Sequence, residues 1–277
     1  MAKTVMVAII QNQAPYILEW VAHHLALGFD DFVLCVHGSS DGSTKITRRL
    51  SGMGYAAHVK FRVEGDDPRA SAFAQIKDLP ELKEADWIFE TDVDCFLNSH
   101  IGFGSLREML EPVDPTVRSL SVPGAFFGAD GHAPFESGRS ITRSVMRGAY
   151  RPELAMGCGR NLGDLMSLER RVDLSPEQAQ VNVYRSKSLA EFISRNAQQI
   201  LDDPEKAHIK WREVDQQETR DETITRYKDM RDRYLSQLLE DERLRGVFEG
   251  SLAWHKERAE RLLENPQIAA FADRIST

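Results

Sequence analysis

The sequence predicts an α/β protein: a mostly parallel sheet flanked by helices, followed by a C-terminal helical extension. Three observations predict it. Short β-branched apolar runs alternate with helical periodicity through the first third of the chain. One of these runs, Trp87-Ile88-Phe89, leads into two carboxylates spaced as Asp92-x-Asp94. From about Asp202 onward charges become dense, Gly and Pro thin out, and apolar residues fall at helical intervals. The expected division is a domain over residues 1–200 and a charged amphipathic extension over 201–277.

The elements justify that reading in order. Residues 5–10 are a continuous apolar run, as in a parallel strand covered on both faces. Gln11 to Pro15 form a polar loop, and Pro15 suits the first turn of a helix. Ile17, Leu18, Val21, Ala22 and Leu25 then recur at helical spacing, and Gly28 stands where a left-handed C-cap belongs. Phe32 to Val36 is a second strand, followed by a loop of small residues, Gly38 to Ser43. A helix carrying Ile46 and Leu50 ends near Gly52 or Gly54, and His58 to Phe61 is a third short strand. A helix through Ala70–Ile76 and the Trp87 strand complete the alternation. Ser119 to Pro123 has strand character, and Phe126 to Gly138 is a Gly-rich loop with aromatics. Arg139, Arg143 and Arg147 recur every four residues, the spacing of one helical face. Val181 to Tyr184 reads as a strand, and Ser188 with Glu191 as a capping box opening a helix. The tail holds two or three amphipathic helices marked by Tyr227, Met230, Tyr234, Leu238, Leu244, Phe248 and Trp254, available to pack on the core or to form an oligomer.

Composition narrows the class. The chain has 277 residues, 42% hydrophobic and 28% charged, the profile of an ordinary globular protein. Its net charge of −8 argues against nucleic acid as a partner, which demands a basic field, while leaving room for a local basic pocket. Cys35, Cys95 and Cys158 are odd in number, far apart and without zinc spacing, so a reducing compartment, the cytoplasm, is expected. No apolar run has membrane-span length, and Met1 to Ile10 lacks a cleavage site, so a buried first strand is expected there.

The acidic pair is the centre of the chemistry. In a strand, residues i and i+2 share a face, so Asp92 and Asp94 emerge together where the strand frays. Ligands of open α/β sheets bind at that carboxyl end. Two such carboxylates repel unless a positive charge sits between them, and a hard divalent cation, Mn²⁺ or Mg²⁺, does so while also binding phosphate oxygens. A bare Asp-x-Asp is more often a solvated turn, and its context decides.

That context resembles a glycosyltransferase of the GT-A (Rossmann-like) fold, and more narrowly the bacterial family-2-like group related to the GT92/DUF23 enzymes. The resemblance rests on Gln11 to Trp20 with His24, on Gly28 to Phe32, on Ser40-Asp41-Gly42-Ser43, and on Ala85 to Leu97. It continues in Phe127 to His132 and in Asn182 to Phe192, all in family order over roughly the first 195 residues. It implies transfer of a sugar from a nucleotide-diphosphate sugar to a glycan or other hydroxyl acceptor, as in polysaccharide biosynthesis. In that frame Asp92 and Asp94 hold the metal that bridges the diphosphate, with His132 as a further ligand or an acceptor contact. Asn12, Asp41 and Lys187 join Asp92 as nucleotide-binding candidates. An inverting reaction needs a base for the acceptor hydroxyl, for which His132 and Glu136 are the candidates.

Three departures from the family pattern fall on polar anchors. The first loop reads Gln11-Asn12-Gln13 where the family has Lys-Asn-Glu. Val36 and His37 stand where an acidic residue and Asn are usual, and Cys95 replaces a Glu. An altered donor, a specialised subgroup, or a nucleotide- or glycan-binding protein without catalysis would each account for them. Another phosphotransfer enzyme, such as a nucleotidyltransferase, is disfavoured by the absence of a Gly-rich basic loop after the first strand, and a dehydrogenase by the absence of Gly-x-Gly-x-x-Gly.

Overall fold

A computed structural model of the chain describes residues 2–129, 140–167, 169–185 and 187–276. The first part alternates as expected: β1 (Thr4–Ile10), α1 (Ala14–Leu27), β2 (Asp31–Val36), α2 (Ser43–Gly52), β3 (Ala57–Lys60), α3 (Pro68–Ile76), the single turn α4 (Pro80–Lys83) and β4 (Trp87–Glu90). The middle holds β5 (Cys95–Ser99), α5 (Leu106–Leu110), β6 (Ser119–Phe127), β7 (Met146–Gly159), α6 (Leu162–Leu165), β8 (Arg171–Asp173) and β9 (Ala179–Val183). Helices dominate the rest: α7 (Leu189–Asp202), α8 (Pro204–Val214), the short β10 (Thr219–Arg220), α9 (Lys228–Leu239), α10 (Glu242–Leu263) and α11 (Pro266–Ser276).

The strands form one curled mixed sheet in the order β3-β2-β1-β4-β7-β6-β9-β5, with β10 on β7 and β8 on β6. Its first four strands are parallel, and Val7 of β1 sits between Val33 of β2 and Glu90 of β4. Beyond β4 the directions mix: β7 runs antiparallel to β4 and β6, while β9 is parallel to β6 and antiparallel to β5. Register shifts between Val122 and Gly124 and between Ala125 and Phe127 bend this half, since an extra residue in one strand sharpens the local twist. Pro123, which has no N–H to donate, falls inside the first shift.

Side chains alternate faces as the pleat requires. Met6, Ala8 and Ile10 of β1 join the large core under α1, which includes Trp20, Phe32, Phe89 and Phe96. Val5 and Val7 point the other way, onto Ala72, Ile76 and Leu82 of α3 and α4. The C-terminal helices share the larger core. α9 packs along α1, α10 lies against α2 and α7, and α11 covers α7. Leu238, Leu244, Ile268 and Phe271 are buried in the same cluster as the sheet. Among the described residues no helix is long and apolar enough to cross a membrane.

One local expectation fails. Arg143 and Arg147 do not share a helical face: Ile141–Arg143 is a single 3-10 turn, and Arg147 already lies in β7, paired with Phe127 of β6. The arginines have helical spacing, and Ile141, Val145 and Ala149 share it, but hairpin pairing with β6 decides the conformation. Arg139 lies outside the described residues.

The order β3-β2-β1-β4 also positions the site. The chain runs outward from β1 through β2 and β3, then returns to the opposite side of β1 as β4. The loops after β1 and β4 diverge from that reversal and leave a crevice at the carboxyl ends of the strands.

Candidate functional site

A cavity of about 850 Å³ opens at this crevice. Gln11, Asn12 and Gln13 after β1, His37 after β2, and Glu90, Asp92 and Asp94 at the end of β4 line one side. Arg185, then Ser194 and Arg195 of α7, and Lys210 of α8 line the next. Trp254, His255 and Arg258 of α10 close it, and Asp67 and Arg69 stand at the start of α3.

The acidic pair forms a tight turn between β4 and β5, in which the Cys95 N–H donates to the Asp92 carbonyl at 3.0 Å. Asp94 is 2% exposed. Arg195 Nη1 donates to its Oδ2 at 3.1 Å, and the Cys95 thiol lies 3.5 Å from its Oδ1. Arg195 Nε also meets Glu191 Oε1 at 3.2 Å, and Lys187 Nζ meets the same oxygen at 3.2 Å. Two anions and two cations thus alternate beneath the cavity floor, with Lys187 Nζ 3.7 Å from the centre of the Tyr16 ring. Burial acts to raise the Asp94 pKa, but Lys187, Arg195 and Arg185 outweigh it, and the carboxyl is held below its usual range. Asp92 differs. Its side chain is half exposed to the cavity, and Arg185 stands off at 3.6 Å. Its recess raises its pKa, and the neighbouring Asp94 charge raises it further. Burial, and then the two aspartates, hold the Cys95 thiol well above its normal range, so this cysteine is an inert neighbour.

Asp41 is organised differently. Its carboxylate is sealed from solvent and accepts from the Ala14 N–H at 2.8 Å, the Ser43 N–H at 3.0 Å, the Ser43 hydroxyl at 2.7 Å and His255 Nε2 at 2.8 Å. Burial alone would raise its pKa, but these donors, His255 first, hold it below the usual value. The bond to Ala14 caps α1, whose own N-cap residue Gln13 makes no side-chain cap. Gly42, at φ 101°, lets the loop turn into α2 while α10 approaches: a Cβ there would lie 3.6 Å from Val247 and Ser251.

The expected site residues therefore separate. Asn12, Asp92 and Asp94 meet at the cavity. Asn12 adopts φ 52°, and its Oδ1 accepts the Ser40 N–H at 2.8 Å. Asp41 and Lys187 stand behind the wall, one holding helices and the other supporting the charge of Asp94. Tyr184 is buried, packed on Phe96 and Phe127. His132 and Glu136 lie outside the described residues. The chain is held on either side of that segment, by the Ala129 N–H on Asp215 Oδ1 and the Ile141 N–H on Glu19 Oε2, both at 2.7 Å.

Sequence reasoning passed over Arg195, Lys210, His255 and Arg258. Arg195 follows Glu191 by one helical turn, and Arg258 follows Trp254 likewise, which was the available signal. Two carboxylates beside this many cationic groups suit a ligand carrying several negative oxygens, bound with or without a cation. Among the described residues no three His, Cys, Asp or Glu side chains group as metal ligands. The Asp92–Asp94 pair offers a half-exposed carboxylate whose charge is incompletely balanced, which fits a cation sharing its other positions with ligand oxygens and water.

No family model and no curated protein matches the chain. Solved structures match at low similarity. Staphylococcus aureus TarS 1–349 is 13% identical, with 74% of this chain and 68% of that one covered, at a TM-score of 0.39. The same protein in complex with UDP-GlcNAc is 15% identical over 74% and 69%, also at 0.39. A glucose-1-phosphate thymidylyltransferase, so described for Bacillus anthracis and solved with a sucrose, is 8% identical over 71% and 94%, at 0.37.

Proposed function

We propose that the protein is a GT-A-type glycosyltransferase that moves a sugar from a nucleotide-diphosphate sugar to an acceptor hydroxyl, with Mn²⁺ or Mg²⁺ held by Asp92 and Asp94. The observation that carries this reading is the convergence of an acidic pair and three basic side chains, Arg185, Arg195 and Lys210, on one cavity at the strand-order reversal. In the reaction the bond from the anomeric carbon to the acceptor oxygen forms while the bond to the diphosphate oxygen breaks. The electron pair leaves on the diphosphate, and the hydroxyl proton passes to a base. A bound cation would supply charge compensation at that leaving group. Arg185 and Arg195 are placed to bind the same oxygens from the protein side, preorganised by Asp92, Asp94 and Glu191. Asn12 presents its amide nitrogen to the donor, and Glu136 or His132 serves as the base.

A second reading has its own observation. Arg195 already occupies an Asp94 oxygen at 3.1 Å that a cation would need, and Arg185 and Lys210 line the cavity as donors for a diphosphate held without metal. That is the arrangement of a nucleotide-binding protein without turnover, or of a metal-independent enzyme.

Asp92→Asn separates these readings better than a change at Asp94, which would strand Arg195 and Lys187 beside a single carboxylate. Calorimetric titration with UDP, GDP, CDP and dTDP, each with Mn²⁺ and with EDTA, should show one nucleotide bound at least about tenfold more tightly with metal. Asp92→Asn should abolish that difference with the thermal midpoint preserved. Equal affinity in EDTA would select the metal-free reading. No binding of any of the four, together with no transfer from their sugars, would remove both.

A further inference from the structure

The donor pocket of the proposed transferase is not built by the sheet domain alone. Its outer wall is α10, more than two hundred residues along the chain from the loop it closes. Two tethers fix the helix. Both lie in one turn: His255 bonds Asp41, whose carboxylate also holds the first turn of α1, directly after Gln13. Three residues on, Arg258 Nε donates to Ser194 Oγ at 3.1 Å, one residue before the arginine that binds Asp94. This single turn of α10 thus bridges the loop after β1 and the charged cluster on α7, with the Arg258 guanidinium 5.5 Å from the centre of the Trp254 ring.

The two groups that it bridges differ in chemistry. Around the loop, Gln11 and Gln13 have side-chain amides that make no hydrogen bond among the described residues, and Trp254 stands half-buried against the cavity. Neutral donors and acceptors beside an aromatic face suit a flat, uncharged, hydrogen-bonding ring. The α7 side, with Arg195 and Arg258 near the acidic pair, suits phosphate. Trp254 is also out of character with its helix. Its neighbours Lys256, Glu257, Glu260 and Arg261 face solvent, whereas this large ring turns inward without joining the core.

We infer that α10 is the nucleoside-recognition element of the site: Trp254 stacks on the base of the donor, the Gln11 and Gln13 amides read its edge, and Arg258 receives the adjoining phosphate. This rests on the transferase reading and extends it, because it makes the C-terminal helix a determinant of which nucleotide is taken. It also gives the two neutral amides a use, as readers of an uncharged base edge.

The test uses the full chain and nucleoside diphosphates without sugar, titrated calorimetrically and by tryptophan fluorescence. Trp20, Trp87 and Trp211 are all buried, so Trp254 is the tryptophan that a ligand in the cavity reaches. The preferred nucleotide should quench wild-type fluorescence. Trp254→Phe should keep the affinity within about threefold and lose the quench. Trp254→Ala should weaken binding by about tenfold or more with its thermal midpoint near wild type. Wild-type affinity in Trp254→Ala, or quenching that survives in Trp254→Phe, overturns the assignment while leaving the transferase reading standing. If Trp254→Ala does not fold, the quench in Trp254→Phe decides alone. A wild-type chain that binds none of the four nucleotides overturns the transferase reading and this inference with it.

Discussion

Asp41 joins three helices beside the cavity. Four donors from α1, the start of α2 and α10 meet on one carboxylate that water does not reach. Removing it leaves those donors buried and unmatched, and the cost is that of breaking a buried charged network, about 3 kcal/mol. Asp41→Ala should lower the urea midpoint accordingly, and Asp41→Asn, which keeps part of the acceptor capacity, should fall between. A midpoint unchanged in Asp41→Ala would mean that α1 and α10 are held without it. Half of this role was legible in the sequence. Asp before Gly and Ser is a turn signal, and the bond to Ser43 is the local Asx pattern. The other half was not, because His255 lies 214 residues away and no local pattern joins the two. The same contrast separates Asp92 from Lys187. A carboxylate just past an apolar strand run can be located from that run, whereas a lysine that turns inward to Glu191 and Tyr16 depends on packing that the sequence does not display.

Among the elements, α1 carries an acid-sensitive device. His23 and His24 are both buried, one donating from Nε2 to the Leu97 carbonyl at 2.7 Å, the other from Nδ1 to the Trp20 carbonyl at 2.9 Å. Burial pushes the His23 pKa down to about 3, and burial with the neighbouring His23 pushes His24 well below its ordinary value. Both are neutral in the fold, so the unfolded chain binds more protons once the pH drops below the ordinary value of 6.5. Their contribution is complete above that pH and is lost as the pH falls toward the folded values. Stability should therefore decline by roughly 1 kcal/mol per histidine for each pH unit below 6.5. Urea unfolding at about pH 7.5 and about pH 5 measures this, and the double variant His23→Gln/His24→Gln should show a shallower decline. An equal slope in both would place the sensitivity elsewhere. The elements themselves were the most readable feature, because β1 through β4 follow apolar periodicity and turn residues. β7 escaped, since its exposed, charge-bearing half has little alternation and takes its form from the β6 hairpin.

For the whole molecule, the C-terminal helices are the feature that composition describes least well. A charged tail suggests an appendage, yet Leu238, Leu244, Ile268 and Phe271 enter the same buried cluster as the sheet. A shared core predicts shared cooperativity. Denaturant unfolding followed by far-ultraviolet circular dichroism and by tryptophan fluorescence should give coincident transitions. Two separate transitions would mean that residues 201–277 fold as their own unit.

The link between His255 and Asp41 also has a meaning in time. A ribosome delivers β1, β2 and β4, and with them the acidic pair, long before it delivers α10. Up to Asp241 the emerging chain owns most of the cavity floor but lacks a wall, and the carboxylate of Asp41 lacks its last donor. On the proposed reading, ligand capture is thereby deferred until synthesis has passed Arg258.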